Sequence, residues 1–178
     1  RGVRADTGDW ASGSAAASTA TNIDITVNNV AAYHDGINSE NYGTGSSTIV
    51  ATGQIAGGNG QIDQTVDSDG LYAFNHTTAT DLSISAVNVT GLDDAIFVEN
   101  YGTGTLSINL TGDVVSMSTD ESDNDYSHGI SAQNFGTNSV ISTSGNVTSN
   151  DGGIFSWNDA SGALSITSTG NVTASGNI

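Results

Sequence analysis

One short pattern recurs five times along the chain, and it constrains the fold more than any other feature of the sequence. Each copy starts with a small residue and an aliphatic residue, and an asparagine follows four positions after the aliphatic one. The aliphatic–asparagine pairs are Ile37/Asn41, Leu71/Asn75, Ile96/Asn100, Ile130/Asn134 and Ile154/Asn158. Successive asparagines are 34, 25, 34 and 24 residues apart. Repeats of this length with a β-type composition indicate a stacked repeat architecture rather than one folded globule.

Each repeat contains three short segments in which apolar and small polar residues alternate, the pattern of half-buried β-strands. In the third copy these segments span 95–100, 105–110 and 112–115. Three strands per repeat predict one rung of a parallel β-helix, because each strand would pair with its equivalent in the next rung, about 4.8 Å away. We therefore predict an all-β solenoid of about five to six rungs over residues 21–178, after an irregular N-terminal segment or cap at residues 1–20.

Three columns of aliphatic residues are expected to fill the interior of this solenoid. Their members are Ile37, Leu71, Ile96, Ile130 and Ile154 in the first column, Ile25, Ile49, Ile84, Ile108, Ile141 and Ile166 in the second, and Val30, Ile55, Val89, Val114, Val147 and Val172 in the third. The 34-residue steps exceed the 24-residue step by ten residues. We therefore expect two inserted loops after the third strand, near 56–68 and 115–127.

The charge of the chain excludes several classes of partner. Nineteen acidic residues face two basic ones, Arg1 and Arg4, which gives a net charge of −17 and a pI of about 4.1. Such a chain has no electrostatic basis for binding nucleic acid, and an anionic membrane surface would repel it. No apolar run is long enough to span a membrane as a helix, so we expect no membrane insertion by this segment. Cysteine is absent, which excludes disulfides and thiolate chemistry.

The repeat also resembles that of a known family. The segment DGI at 35–37 is followed by NYGTG at 41–45, and DAI at 94–96 is followed by NYGTG at 100–104. With the Thr-Gly-x-Val/Ile that follows, this order is similar to the repeat of bacterial autotransporter passengers, over roughly residues 21–178. The resemblance implies a right-handed parallel β-helix and an extracellular or bacterial outer-surface location. It reaches only the passenger and not the family's membrane-anchoring barrel, and it matches no catalytic motif.

The asparagine column Asn41, Asn75, Asn100, Asn134 and Asn158 is interpreted as a structural ladder of side-chain amides inside a turn. The sequons at Asn75, Asn88, Asn109, Asn146 and Asn171 are attributed to the composition of the repeat.

Asp93, Asp94 and His128 are similar to the aspartate and histidine residues of pectin-degrading β-helix hydrolases, in which two carboxylates can act as acid and base. Asp94 and His128, however, occupy the same repeat position as Asp35 and Asp69. We expect no enzyme, and a glycan-active β-helix stays a remote alternative.

No cofactor is expected, although one acidic loop is a candidate for weak calcium binding. Asp120, Glu121, Asp123 and Asp125 lie in the second insertion, and carboxylate oxygens are the ligands that Ca²⁺ prefers. No glycine stands at the position that a helical calcium loop requires. A solvated acidic loop is the alternative.

Aromatic residues on the outward side of the first strand are the main functional lead. They are Tyr72, Phe74, Phe97, Phe155 and Trp157, followed just after the asparagine column by Tyr42, Tyr101 and Phe135. Such a stripe is typical of a glycan or partner surface, and stacking between rungs is the alternative.

We therefore expect an exported, non-enzymatic surface protein with a structural or adhesive role. Its partners would be a host or neighbouring-cell surface, a glycan, or other copies of the chain. The alternative is a filament subunit that stacks end to end by β-strand pairing.

Overall fold

The computed structural model describes residues 1–7, 21–61, 68–118 and 127–176. These ranges contain strands and turns and no helix, so the described part of the chain is all-β, as predicted. The strands are β1 (Val3–Asp6), β2 (Ile23–Val27), β3 (Val30–Ala31), β4 (Ile37–Asn41), β5 (Ser47–Ala56), β6 (Leu71–Asn75), β7 (Leu82–Gly91), β8 (Ile96–Asn100), β9 (Leu106–Leu110), β10 (Val114–Ser116), β11 (His128–Asn134), β12 (Ser139–Thr143), β13 (Val147–Ser149), β14 (Gly152–Asn158), β15 (Leu164–Ser168) and β16 (Val172–Ala174). In these ranges no helix is long and apolar enough to cross a membrane.

The strands form two parallel sheets, and the chain alternates between them. One sheet has six strands in the order β1-β4-β6-β8-β11-β14. The other has ten strands, with the path β15-β12-β9-β7-β10-β13-β16 and with β5 pairing with β2, β3 and β7. Every recorded strand pair is parallel, and neither sheet closes on itself.

The pairing register confirms the three aliphatic columns. Ile37 pairs with Leu71, Leu71 with Ile96, and so on to Ile154. The second and third columns are aligned in the same way from Ile25 to Ile166 and from Val30 to Val172. Members in the middle of each column are fully buried and form one hydrophobic core between the sheets.

The small residue at the start of each repeat is explained by its position against the third column. A Cβ added at Gly70 would lie 2.7 Å from Val89 Cγ1 and 2.6 Å from the Ala95 carbonyl oxygen. At Gly36 the same atom would lie 2.7 Å from Ile55 Cγ2. A larger side chain at these two positions would collide with the core, so the glycine makes room for the neighbouring column.

Two features of the strands differ from the sequence analysis. Three separate strands per rung occur in some repeats, but β5 and β7 each combine the predicted second and third strands into one strand of ten residues. The two paired stretches are separated by two residues in β5 and by one in β7, so the pairing register shifts between Ala51 and Gln54. In addition, residues 1–20 were predicted to form an irregular segment or cap; within them β1 is a regular strand that pairs in register with β4.

Candidate functional site: the outer face of the six-stranded sheet

Strand alternation positions the aromatic residues on the outer side of the six-stranded sheet. On β6, Leu71, Ala73 and Asn75 are buried, whereas Tyr72 and Phe74 between them are partly exposed. β8 repeats this pattern with Phe97 and Glu99. Successive side chains on a strand point to opposite sides, so the inward aliphatic column determines which residues face outward. We call this surface the outer face; its members are Glu40, Tyr42, Tyr72, Phe74, Phe97, Glu99, Tyr101, Gln133, Phe135, Phe155 and Trp157.

Rings on neighbouring strands of the outer face contact one another. Tyr72 and Phe97 pair across β6 and β8, with ring centroids 5.8 Å apart and planes within 3°. Phe155 on β14 belongs to the same column, and its ring packs against that of His128 on β11, with ring centroids 5.4 Å apart. Such contacts stabilise neighbouring strands beyond the area that they bury.

A second file of five rings runs without interruption across the face. The ring centroids are 5.7 Å apart from Tyr42 to Phe74, 5.7 Å from Phe74 to Tyr101, 4.5 Å from Tyr101 to Phe135, and 6.2 Å from Phe135 to Trp157. Tyr101 and Phe135 are stacked, with planes within 6°, and the other three pairs are tilted by 43° to 51°. Ring contact between strands is one of the two predicted alternatives.

Exposure is not uniform along this surface. Trp157 is 52% exposed and Phe155 44%, whereas the other rings are partly buried. Both rings lie on β14, the last strand of the six-stranded sheet, where the inward Ile154 is also partly exposed. The interpretation of the face as a partner or glycan surface stays a prediction.

Two glutamates lie among the rings and are oriented by tyrosines. The Tyr42 hydroxyl donates to Glu40 Oε2 at 3.1 Å, and the Tyr101 hydroxyl donates to Glu99 Oε1 at 3.4 Å. Burial raises the pKa of Glu99, and the hydrogen bond from Tyr101 opposes that shift. Burial and the nearby glutamates raise the pKa of Tyr72 well above its ordinary value. Ionised phenolate would therefore be disfavoured on this face.

The predicted asparagine ladder lies on the inward side of the same sheet. The five asparagines are paired in register, and Asn41, Asn75, Asn100 and Asn134 are fully buried. Asn100 Nδ2 donates to Asn134 Oδ1 at 2.8 Å, and Asn134 Nδ2 donates to Asn158 Oδ1 at 2.7 Å. Asn75 Oδ1 instead accepts from the Ser47 hydroxyl at 2.6 Å. These bonds satisfy amides that would otherwise be costly to bury.

Sequence reasoning missed two further hydrogen-bonded columns on the ten-stranded sheet. In one column, each side-chain oxygen accepts a hydrogen bond from the backbone N–H of the next member. Asn88 Oδ1 accepts from Asp113 N–H at 2.9 Å and Asp113 Oδ1 from Asn146 N–H at 2.9 Å. Asn146 Oδ1 accepts from Asn171 N–H at 3.1 Å. In the other, Asp81 Oδ1 accepts from the Thr105 N–H at 2.7 Å. For the first of these columns, the Gly-Asn or Gly-Asp before Val114, Val147 and Val172 was the available signal. It was attributed to composition.

The residues considered for catalysis form a local structural contact. Asp94 is 5% exposed, and its Oδ1 accepts from the His128 backbone N–H and lies 3.5 Å from His128 Nδ1. The backbone oxygen of Asp93 accepts from the Ser116 hydroxyl. These contacts link neighbouring repeats. The glycan-active enzyme stays a prediction.

The candidate calcium ligands Asp120, Glu121, Asp123 and Asp125 lie outside the described residues. Within the described ranges, no group of three or more histidine, cysteine, aspartate or glutamate residues is arranged to hold a metal ion.

No family model matches the chain, and searches of curated proteins and of solved structures find no significant match.

Proposed function

We propose that the chain is a right-handed parallel β-helix that acts as a non-enzymatic surface element, structural or adhesive, of an exported bacterial protein. Support for the solenoid is that the chain alternates between two parallel sheets and adds one strand to the six-stranded sheet in each repeat. Support for the surface role is the repeat's resemblance to autotransporter passengers together with a charge of −17, which favours solubility.

The observation that favours adhesion most is the file of five rings across the outer face, which ends at the exposed Trp157. Aromatic rings supply a large contact area at a low cost in side-chain entropy, and they are enriched where proteins bind partners. The same rings stabilise the sheet, so the face is rigid before any ligand arrives, which lowers the cost of binding.

The experiment is a binding assay on immobilised cell-surface glycans and on whole cells, comparing the chain with a Phe155→Ala/Trp157→Ala variant. We expect the double variant to bind at least about tenfold more weakly, because it removes the two most exposed rings of the face. Val140→Ser is the matched control, because Val140 is 40% exposed on the other sheet. An equal loss in both variants, or no binding to any surface, would contradict an adhesive role. Hydrolysis of a glycan that Asp94→Ala abolishes would instead support the enzyme alternative.

A second candidate function is end-to-end assembly, in which strands of neighbouring copies pair. Ile166 is 44% exposed and Val172 46%, although Ile141 and Val147 in the same columns are fully buried. Negative-stain microscopy over a concentration series tests this. Filaments that lengthen with concentration and disappear in Ile166→Asp would support assembly, and isolated particles at every concentration would contradict it.

A further inference from the structure

We propose that the outer face binds an extended cationic polypeptide segment, with lysine or arginine side chains placed at Glu40, Glu99 and Trp157. This inference rests on the proposed adhesive role and specifies the chemistry of its partner.

The three positions lie in one column at regular intervals. Glu40 pairs with Phe74, Phe74 with Glu99, Glu99 with Gln133, and Gln133 with Trp157. Neighbouring strands are about 4.8 Å apart, so the two glutamates are about 9.6 Å apart, and Trp157 lies a further 9.6 Å or so along the column. The face therefore presents two carboxylates and an exposed indole ring at equal spacing.

The two carboxylates have no cation of their own in the described part of the chain. Their hydrogen bonds come from the hydroxyls of Tyr42 and Tyr101. The chain has no lysine, and its two arginines form ion pairs with aspartates: Arg1 with Asp35, and Arg4 with Asp6, which lies opposite Glu40 on the neighbouring strand β1. The His76 ring also packs on Tyr42 and Phe74. Among the described residues, however, neither an arginine nor a histidine forms an ion pair with Glu40 or Glu99, so both carboxylates can accept a cation from another molecule. Both side chains are partly buried, so an ion pair formed there would be screened less than one on an open surface.

The rings around the carboxylates suit the rest of a basic side chain. Phe74 lies between the two glutamates and contacts Tyr42 and Tyr101 on either side. The hydrocarbon stem of a lysine or arginine packs favourably on such rings, while its charged end reaches the carboxylate. At Trp157 the attraction would come from the face of the indole, the ring that binds cations best.

The spacing selects the conformation of the occupant. A polyproline II segment repeats every three residues at about 3.1 Å per residue, which places every third side chain about 9.3 Å apart on one side. An extended β-strand places alternate side chains about 6.8 Å apart and would fall out of step with the column. A segment with a basic residue at every third position therefore matches the face, and Pro-rich segments pay a low entropic cost on binding.

The test uses a synthetic peptide of Lys-Pro-Pro repeats, titrated into the chain at about physiological salt. A second peptide of identical composition has its lysines contiguous. We expect the regular peptide to bind about tenfold more tightly than the contiguous one, because only it can reach all three positions together. Binding should quench or shift the fluorescence of Trp157, and Trp157→Phe should reduce that signal.

The decisive variant is Glu40→Gln/Glu99→Gln, which keeps an oxygen acceptor for each tyrosine hydroxyl. The matched control is Asp24→Asn/Asp113→Asn, which removes the same charge from exposed positions of the other sheet; asparagine at 113 still supplies the acceptor for the Asn146 N–H. We expect about a tenfold loss of affinity in the glutamate variant and less than about twofold in the control. Thermal melting of each variant verifies that it is folded.

Equal losses in the two variants would overturn the inference, because they would mean attraction by net charge alone. Equal binding of the two peptides would also overturn it, because the face would then not distinguish lysines at every third position from contiguous lysines. If neither peptide binds but a neutral glycan binds and is lost in Phe155→Ala/Trp157→Ala, the cationic partner is wrong while the adhesive role survives. If nothing binds the face, both proposals fail.

Discussion

The two sides of the six-stranded sheet are built from the same strands but follow different rules. On the inner side five of the six strands supply an aliphatic–asparagine pair, from Ile37/Asn41 on β4 to Ile154/Asn158 on β14. On the outer side the position beside the first column changes from Asn38 to Tyr72, Phe97 and Ser131. Inner side chains are enclosed by neighbours above, below and across, so their volume is fixed. On the outer side Tyr72 and Phe97 are partly exposed, whereas the smaller Asn38 and Ser131 are buried, so this position accepts side chains of different size and polarity.

The largest expected difference in stability is between two neighbouring residues of β8, the inward Ile96 and the outward Phe97. Ile96→Ala should reduce the free energy of unfolding by about 2–5 kcal/mol, because it leaves a cavity in a fully buried column. Phe97→Ser should cost only about 1 kcal/mol, because the ring is partly exposed and stacks on Tyr72 alone in its column. Ser131 already occupies the equivalent position on β11. Urea unfolding of both variants measures the difference, and losses of equal size would show that the outer face is packed as tightly as the core.

A second test compares a buried amide on the inner side of this sheet, Asn134, with a solvent-exposed amide just before β12, Asn138. Asn134→Ala removes the acceptor of Asn100 Nδ2 and the donor to Asn158 Oδ1, and it should cost about 1–3 kcal/mol because Asn100 then has a buried amide with one partner fewer. Asn138→Ala removes a bond to the Ala163 N–H at an exposed position, where water can replace it, and should cost about 0.5 kcal/mol. Thermal melting of the two variants gives the comparison. A cost at Asn138 equal to that at Asn134 would make the surface column as important as the buried one.

The smallest expected effect concerns a charge on the outer face. Burial raises the folded-state pKa of Glu99 above the unfolded value of about 4.5, so the native state binds this proton more tightly than the unfolded chain does. As pH rises from about 4.5 through the raised folded-state pKa, the unfolded chain ionises first and stability falls. Glu99→Gln should therefore be more stable than the wild type at pH 7 by about 0.5 kcal/mol or less, since Glu99 is only partly buried.

The same variant supplies its own control, because the advantage should disappear near pH 4, where Glu99 is protonated in both states. Chemical denaturation at the two pH values measures it. If Glu99→Gln gains the same stability at pH 4 and at pH 7, the gain has a cause other than the removal of the Glu99 charge.

Much of the framework could be predicted because it depends on residues that recur. The three aliphatic columns follow from spacing alone, since every copy of the repeat must place Ile, Leu or Val at the same three inward positions. The column from Asn88 to Asn171 was not recognised, because both Asn and Asp occur in it and only their shared oxygen acceptor matters. The pairing of β1 with β4 was also missed. Residues 3–6 contain none of the repeat's markers, and only their contact with β4 reveals that they are a strand.

The spacing of the repeat was enough to specify parallel strands, the buried columns and the outward direction of the aromatic residues, because strand alternation is a local property. Which side chains then meet depended on pairing register between residues 24 to 34 positions apart. That register placed Glu40, Glu99 and Trp157 in one column, brought the tyrosine hydroxyls to the glutamates and joined five rings into a file. These contacts cross strands, and their distances exist only once the strands are stacked.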